Sequence, residues 1–91
     1  MTKEQEQQCR AILAHFGAGT QKKKCIEECA ELIDAILKQE SARTTYNDVC
    51  SEIADVMIMC RQMAYIYGER EVEDEITRKL ERTQQRIAEY R

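Results

Sequence analysis

Glu52 and Asp55 stand three residues apart in a stretch, Val49 to Met59, whose other members are mostly apolar. Residues at i and i+3 share one face of a helix, so this spacing sets two carboxylates among Val49, Ile53, Val56 and Met59. Ionised carboxylates in such surroundings are costly unless something neutralises them. Glu28 and Glu31 form a second pair at the same spacing, with Lys24 and Ala35 on their face. Ala35 is small enough to leave room beside them. If the two segments pack as antiparallel helices, the four carboxylates converge, and their repulsion keeps several protonated unless cations enter. Oxygen donors with neither histidine nor thiol among them select Mg²⁺ or Mn²⁺. Such ions attract phosphate oxygens, so the residues point to a metal-assisted phosphate site without fixing a reaction.

Four helical segments must position these groups. The first is expected from about Lys3 to Phe16, with Thr2 and Gln5 as a capping box and a buried stripe of Cys9, Ile12, Leu13 and Phe16. Gly17-Ala18-Gly19 should end it. The second is expected from about Gln21 to Gln39, with Ile26, Cys29, Ala30, Ile33, Ile36 and Leu37 as one wide apolar stripe. The third, from about Tyr46 to Tyr67, is capped by Thr44 or Thr45, with Asp48 in its first turn. Its centre, Ile53 to Cys60, is apolar in nearly every direction and should be buried. Gly68 is the expected left-handed stop. The fourth runs from about Glu71 to Tyr90 on a seam of Val72, Ile76, Leu80, Thr83, Ile87 and Tyr90. Its acidic start (Glu71, Glu73, Asp74, Glu75) and basic end (Arg82, Arg86, Arg91) suit the helix dipole.

Composition excludes several classes. Hydrophobic residues make up 43% and charged residues 34% of the 91 residues, and no apolar run approaches the roughly 20 residues that cross a bilayer. A net charge of −3 argues against a nucleic acid polymer as partner, which calls for a basic footprint. The polar N-terminus is unlike a secretory signal. The five cysteines, Cys9, Cys25, Cys29, Cys50 and Cys60, are read as small buried hydrophobes. An odd number of thiols without a leader suggests a reducing, cytoplasmic location. Cys25 and Cys29 lack the spacing of a zinc knuckle and have no histidine beside them. Dividing the chain would leave neither part with a core, so residues 1–91 are expected to form one domain. A chain this short buries only about 60–65% of its unfolded surface by itself, so long helices imply self-association.

The stretch Glu27-Glu28-Cys29-Ala30-Glu31-Leu32, with 20 residues between Glu31 and Glu52-Ile53-Ala54-Asp55, resembles the E-E-x-x-E…E-x-x-D signature of the MazG-like, all-α nucleotide pyrophosphatases. Phe16-Gly17 and Gln21 before it, and Gly68, Val72, Lys79 and Arg82 after it, extend the resemblance over most of the chain. The resemblance implies an all-α, four-helix bundle-type protomer, or three core helices plus a terminal arm, associating as a homodimer or dimer of dimers. It implies hydrolysis of a nucleoside or deoxynucleoside triphosphate between the α and β phosphates, in nucleotide-pool house-cleaning. Carried onto this sequence, Glu28, Glu31, Glu52 and Asp55 would hold Mg²⁺ (or Mn²⁺), which activates water for attack, and Glu28 would accept its proton. Glu27 faces about 100° away from Glu28, and either positions a ligand or is merely solvated. Lys24, on the acidic face, would bind the substrate. Lys79, Arg82 and Arg86 recur on one face of the last helix and would clamp the triphosphate, across a subunit boundary. His15, Phe16, Gln21 and Met59 are the candidates for enclosing the base.

The competing reading is a non-catalytic interaction or regulatory bundle that keeps the scaffold, which the seam of the last helix also fits. A di-iron bundle is excluded, because it needs Glu-x-x-His pairs and the single histidine, His15, lies outside both acidic motifs.

Overall fold

The computed structural model of the protein describes residues 1–90; Arg91, a basic residue expected to close the last helix, lies outside the described residues. The described residues form four helices: α1 (Lys3–Phe16), α2 (Ala18–Glu40), α3 (Tyr46–Tyr67) and α4 (Glu69–Glu89). Two start at capping boxes in which side chains satisfy the first free backbone N–H groups. Thr2 pairs with Gln5 at α1, and Thr45 pairs with Asp48 at α3. The hydroxyls of Thr44 and Thr45 and the Thr45 N–H all donate to the Asp48 carboxylate, holding its pKa below the usual aspartate value.

The helix boundaries differ from expectation at two turns. Gly17 alone, at φ +88°, breaks the chain between α1 and α2. Ala18 and Gly19 already belong to α2, so Gly19 ends nothing. Gly68 does stop α3, but at φ 136° and ψ 104° it lies outside the left-handed helical region. A Cβ there would collide with the Glu71 carboxylate, and the backbone conformation is one that only glycine adopts readily.

α2 and α3 form the core pair. Gln21, near the start of α2, donates from Nε2 to Gln62 Oε1, near the end of α3, at 2.8 Å. Glu31 meets Glu52 further along, so the helices run antiparallel. α1 packs across both. Arg61 of α3 then ties three helices together: it reaches Glu6 of α1, Glu69 of α4 at 3.2 Å, and the Tyr65 hydroxyl at 3.2 Å. Arg10 adds a second link to Glu69 at 3.2 Å. α4 touches α3 through its first turns, Glu69 to Ile76, and continues as an arm.

The expected burial is corrected accordingly. Ile26, Ile33, Ile36 and Leu37 of α2, Ile12 and Phe16 of α1, and Ile53, Met57 and Ile58 of α3 are all exposed. So is the α4 seam of Val72, Ile76, Leu80, Ile87 and Tyr90. Among the cysteines only Cys9 is buried; Cys50 and Cys60 are exposed. The physical reason is that one protomer has too few helices to cover every apolar stripe. Its radius of gyration is 16.0 Å, against about 12 Å for a compact chain of this length. Its accessible surface is 7231 Å², about 1,700 Å² more than a compact monomer of its mass.

Candidate functional site

The packing of α2 on α3 brings Glu28, Glu31 and Glu52 together, one carboxylate oxygen of each lying within 4.8 Å of the others. Glu28 is buried, Glu52 half-buried and Glu31 exposed. Glu28 Oε1 is held by Lys24 Nζ at 3.2 Å, one turn earlier on α2. Glu28 Oε2 and Glu52 Oε2 are buried without any hydrogen-bond partner. A buried carboxylate oxygen left unpaired is expensive, and two in one place mark a site suited to a cation. The donor set is oxygen only, which fits a hard divalent ion. Buried Ala35 presents no bulk from the same face of α2.

The electrostatics carry the imprint of this crowding. The Glu28 carboxylate beside it, then partial desolvation, then Glu52, hold the Glu31 carboxyl above its ordinary value. Lys24 shifts upward because its ammonium donates to Glu28. Asp55, one turn beyond Glu52 on the same face, is half-buried and stands outside the group of three.

An open cleft of about 550 Å³ between α1, α2 and α3 is lined by Lys24, the partner of Glu28, but by none of the clustered carboxylates. Gln21, Lys24, Glu27, Met59 and Phe16 line it, so several residues singled out from the sequence share one wall. Glu27 itself is exposed there. His15 is exposed and stands edge-on against Phe16, with ring centroids 4.7 Å apart. Gln62, absent from the sequence reading, forms the floor: it is 0% exposed and accepts from Gln21. The available signal was an uncharged amide three residues after Met59 on an apolar helix.

Lys79, Arg82 and Arg86 do not reach the carboxylates within the protomer. All three are exposed on α4, beyond its contact with α3. The ion pairs of that contact are made by Arg61, nine residues from Glu52, or about 13 Å along the helix.

The fold and site thus define an all-α protein with an oxygen-only carboxylate cluster beside an open cleft, and no described helix is long and apolar enough to cross a membrane. Residues 16–88 match the MazG nucleotide pyrophosphohydrolase domain. The match spans most of the chain, and the protein belongs to that family. No curated protein and no solved structure matches the chain.

Proposed function

We propose that the protein, as one domain over residues 1–91, hydrolyses a nucleoside or deoxynucleoside triphosphate to the monophosphate and pyrophosphate, as a cytoplasmic house-cleaning enzyme. The observation that carries the reading is the pair of unpartnered, buried carboxylate oxygens on Glu28 and Glu52, in a chain of this family. Glu28, Glu31 and Glu52 would hold Mg²⁺ or Mn²⁺, with Asp55 one turn away as the fourth donor. When bound, the ion supplies neutralisation of the polyphosphate and acidifies the attacking water.

The remaining work falls to the chain. Glu28 is the proton acceptor, held in place by Lys24, which fixes one of its oxygens. The water's oxygen bonds to the α-phosphorus as the bond to the bridging oxygen breaks, and pyrophosphate leaves. Gln21 and Met59 face the base or sugar in the cleft, where Gln62 fixes the Gln21 amide. Glu27, on the cleft wall, orients Lys24.

Self-association completes the site in this reading. The excess exposed surface of about 1,700 Å² per protomer is comparable to or larger than a standard interface removes from each partner. A second copy is the occupant that presents matching apolar stripes, and it brings Lys79, Arg82 and Arg86 to the phosphates. Light scattering at micromolar concentration should give a dimer or tetramer; a monomer contradicts this part. A panel of common and modified triphosphates, assayed for pyrophosphate with Mg²⁺ and Mn²⁺, tests the chemistry. Release from at least one, lost in Glu52→Gln, is expected, and no release from any refutes it.

A further inference from the structure

The floor of the cleft between α1, α2 and α3 carries a polar pair that the phosphate chemistry leaves unused. Gln21 and Gln62 are 5% and 0% exposed, and both line the cleft with Phe16, Ile58 and Met59. Gln21 Nε2 donates to Gln62 Oε1 at 2.8 Å, and Gln62 Nε2 points at Met59 Sδ, 3.9 Å away. A thioether accepts weakly and donates nothing, and this fixes the direction of both amides. Turning Gln62 over would set its carbonyl oxygen against the Met59 sulfur with no donor and no access to water, and a buried acceptor left unpaired is expensive. Turning Gln21 alone would oppose two carbonyl oxygens. Gln21 Oε1 is therefore held as the outward group of the pair. No donor among the described residues reaches it, yet the unpartnered side-chain oxygens sealed from solvent are those of Glu28 and Glu52. Gln21 Oε1 opens instead onto the cleft that its residue lines.

We propose that Gln21 Oε1 selects nucleotides whose base carries an exocyclic amino group, the 4-amino group of cytosine or the 6-amino group of adenine, over their keto counterparts. This rests on the reading that the cleft takes the base of a triphosphate. Its apolar walls, Phe16, Ile12, Ile58 and Met59, suit the faces of an aromatic ring, and the oxygen is the polar group that sets the ring's orientation. The amino N–H donates to Gln21 Oε1. A keto base puts an oxygen at that point, so two acceptors face each other and both lose their hydrogen bonds to water. Its ring N–H is the next donor along the edge, and using it shifts the base, with its sugar and phosphates, out of alignment with the carboxylates. Gln62, sealed beneath Gln21, touches no ligand. It is a positioning residue, which keeps the Gln21 amide from rotating to offer Nε2 to a keto base. Sites built on such groups discriminate more strongly than apolar pockets do, because the wrong ligand leaves the group unpaired.

Binding tests this without requiring turnover. Non-hydrolysable α,β-methylene analogues of the cytidine, uridine, adenosine and inosine triphosphates, in ribose and deoxyribose forms, are titrated into the full chain with Mg²⁺ by calorimetry. The two pyrimidines, like the two purines, differ only in the exocyclic group and the protonation of the ring nitrogen beside it. The amino member should bind at least about tenfold more tightly than the keto member, in the pyrimidine pair, the purine pair or both. Equal affinity within every pair that binds, tighter binding of the keto member, or no binding of any analogue overturns the proposal. Gln62→Leu should bring the ratio towards one. Lost folding does not mimic that result, because misfolded protein removes sites for both ligands alike; an unchanged ratio overturns the orienting role of Gln62. If Gln62→Leu does not fold, the ratio in the unmodified chain still decides. Pyrophosphate release from the parent triphosphates is measured alongside. A binding preference without release refutes the hydrolase reading and leaves the base site standing, whereas release without a preference does the reverse.

Discussion

Replacing Glu52 by glutamine should make the metal-free protein more stable and the metal-loaded protein less so. Glutamine keeps the shape and removes one charge from the cluster. Oxygens of Glu28 and Glu52 lie within 4.8 Å; at that distance two unit charges repel by about 1 kcal/mol if screened as in water and about 3.5 kcal/mol at an effective dielectric constant of 20. Lys24, 3.2 Å from Glu28, offsets part of this, so a net gain of about 1 kcal/mol is the working value. In a domain of this size that raises the midpoint by about 4–8 °C. With Mg²⁺ at a hundred times its dissociation constant, the wild type gains about 2.7 kcal/mol, and Glu52→Gln should gain almost none. The order of the two proteins therefore inverts between EDTA and Mg²⁺. Thermal unfolding followed by circular dichroism in both buffers reads it. If Glu52→Gln melts lower than wild type in EDTA, the carboxylates are not frustrated without a cation, and the reasoning from unpaired oxygens fails.

Three further outcomes follow from the same geometry. Glu31 has a raised pKa caused chiefly by Glu28, so in the metal-free wild type the folded state binds a proton more readily than the unfolded state does. Stability from this group is present below its ordinary titration and is lost as pH rises through the raised value. The stability of Glu28→Gln relative to wild type in EDTA should accordingly rise across that window, read as melting temperature against pH; a difference independent of pH contradicts the assigned cause. Gln62→Leu strands the buried Gln21 amide and should cost about 1–3 kcal/mol in urea unfolding, while Gln21→Leu combined with Gln62→Leu costs less than the sum of the two. Thr45→Ala removes the α3 cap and should cost about 1 kcal/mol. Asp48 loses the Thr45 hydroxyl as a hydrogen-bond donor in that variant, so its carboxyl should titrate closer to the ordinary value by NMR.

Sequence periodicity located α1 and α3 and came within a few residues at the ends of α2 and α4. The reason is that caps and glycines act locally: Thr2, Thr45, Gly17 and Gly68 fix ends with contacts a few residues away. It also put Glu28, Glu31 and Glu52 on facing sides of two helices, since i, i+3 spacing survives any modest change of packing angle. Depth was not legible. A stripe such as Ile26, Ile33 and Leu37 records that something covers it, not which chain does. Asp55 shares a face with Glu52, but the inclination of α3 against α2 decides which carboxylates meet, and no local pattern encodes that. Gln62 and Arg61 were missed for one reason: each acts through a partner tens of residues away, on another helix.

Within one protomer Lys79, Arg82 and Arg86 of the α4 arm lie beyond its contact with α3 and make no ion pair with the carboxylates. Arg61, Glu6, Glu69 and Arg10 pin the base of α4 to the end of α3 remote from Glu52. Arg82 lies 14 residues from Gly68 along α4, about 21 Å of helix. If two α2–α3 hairpins pair about a two-fold axis with their α3 helices antiparallel, the remote end of one falls beside the acidic end of the other, and each arm serves its partner's cluster. Mixing two inactive proteins tests this. Glu52→Gln keeps its cations, and the Lys79→Ala, Arg82→Ala, Arg86→Ala variant keeps its carboxylates. Random exchange makes half the dimers mixed, each with one intact site, so about a quarter of wild-type pyrophosphate release should return. No recovery, with subunit exchange verified by mass, would mean that the arm does not cross.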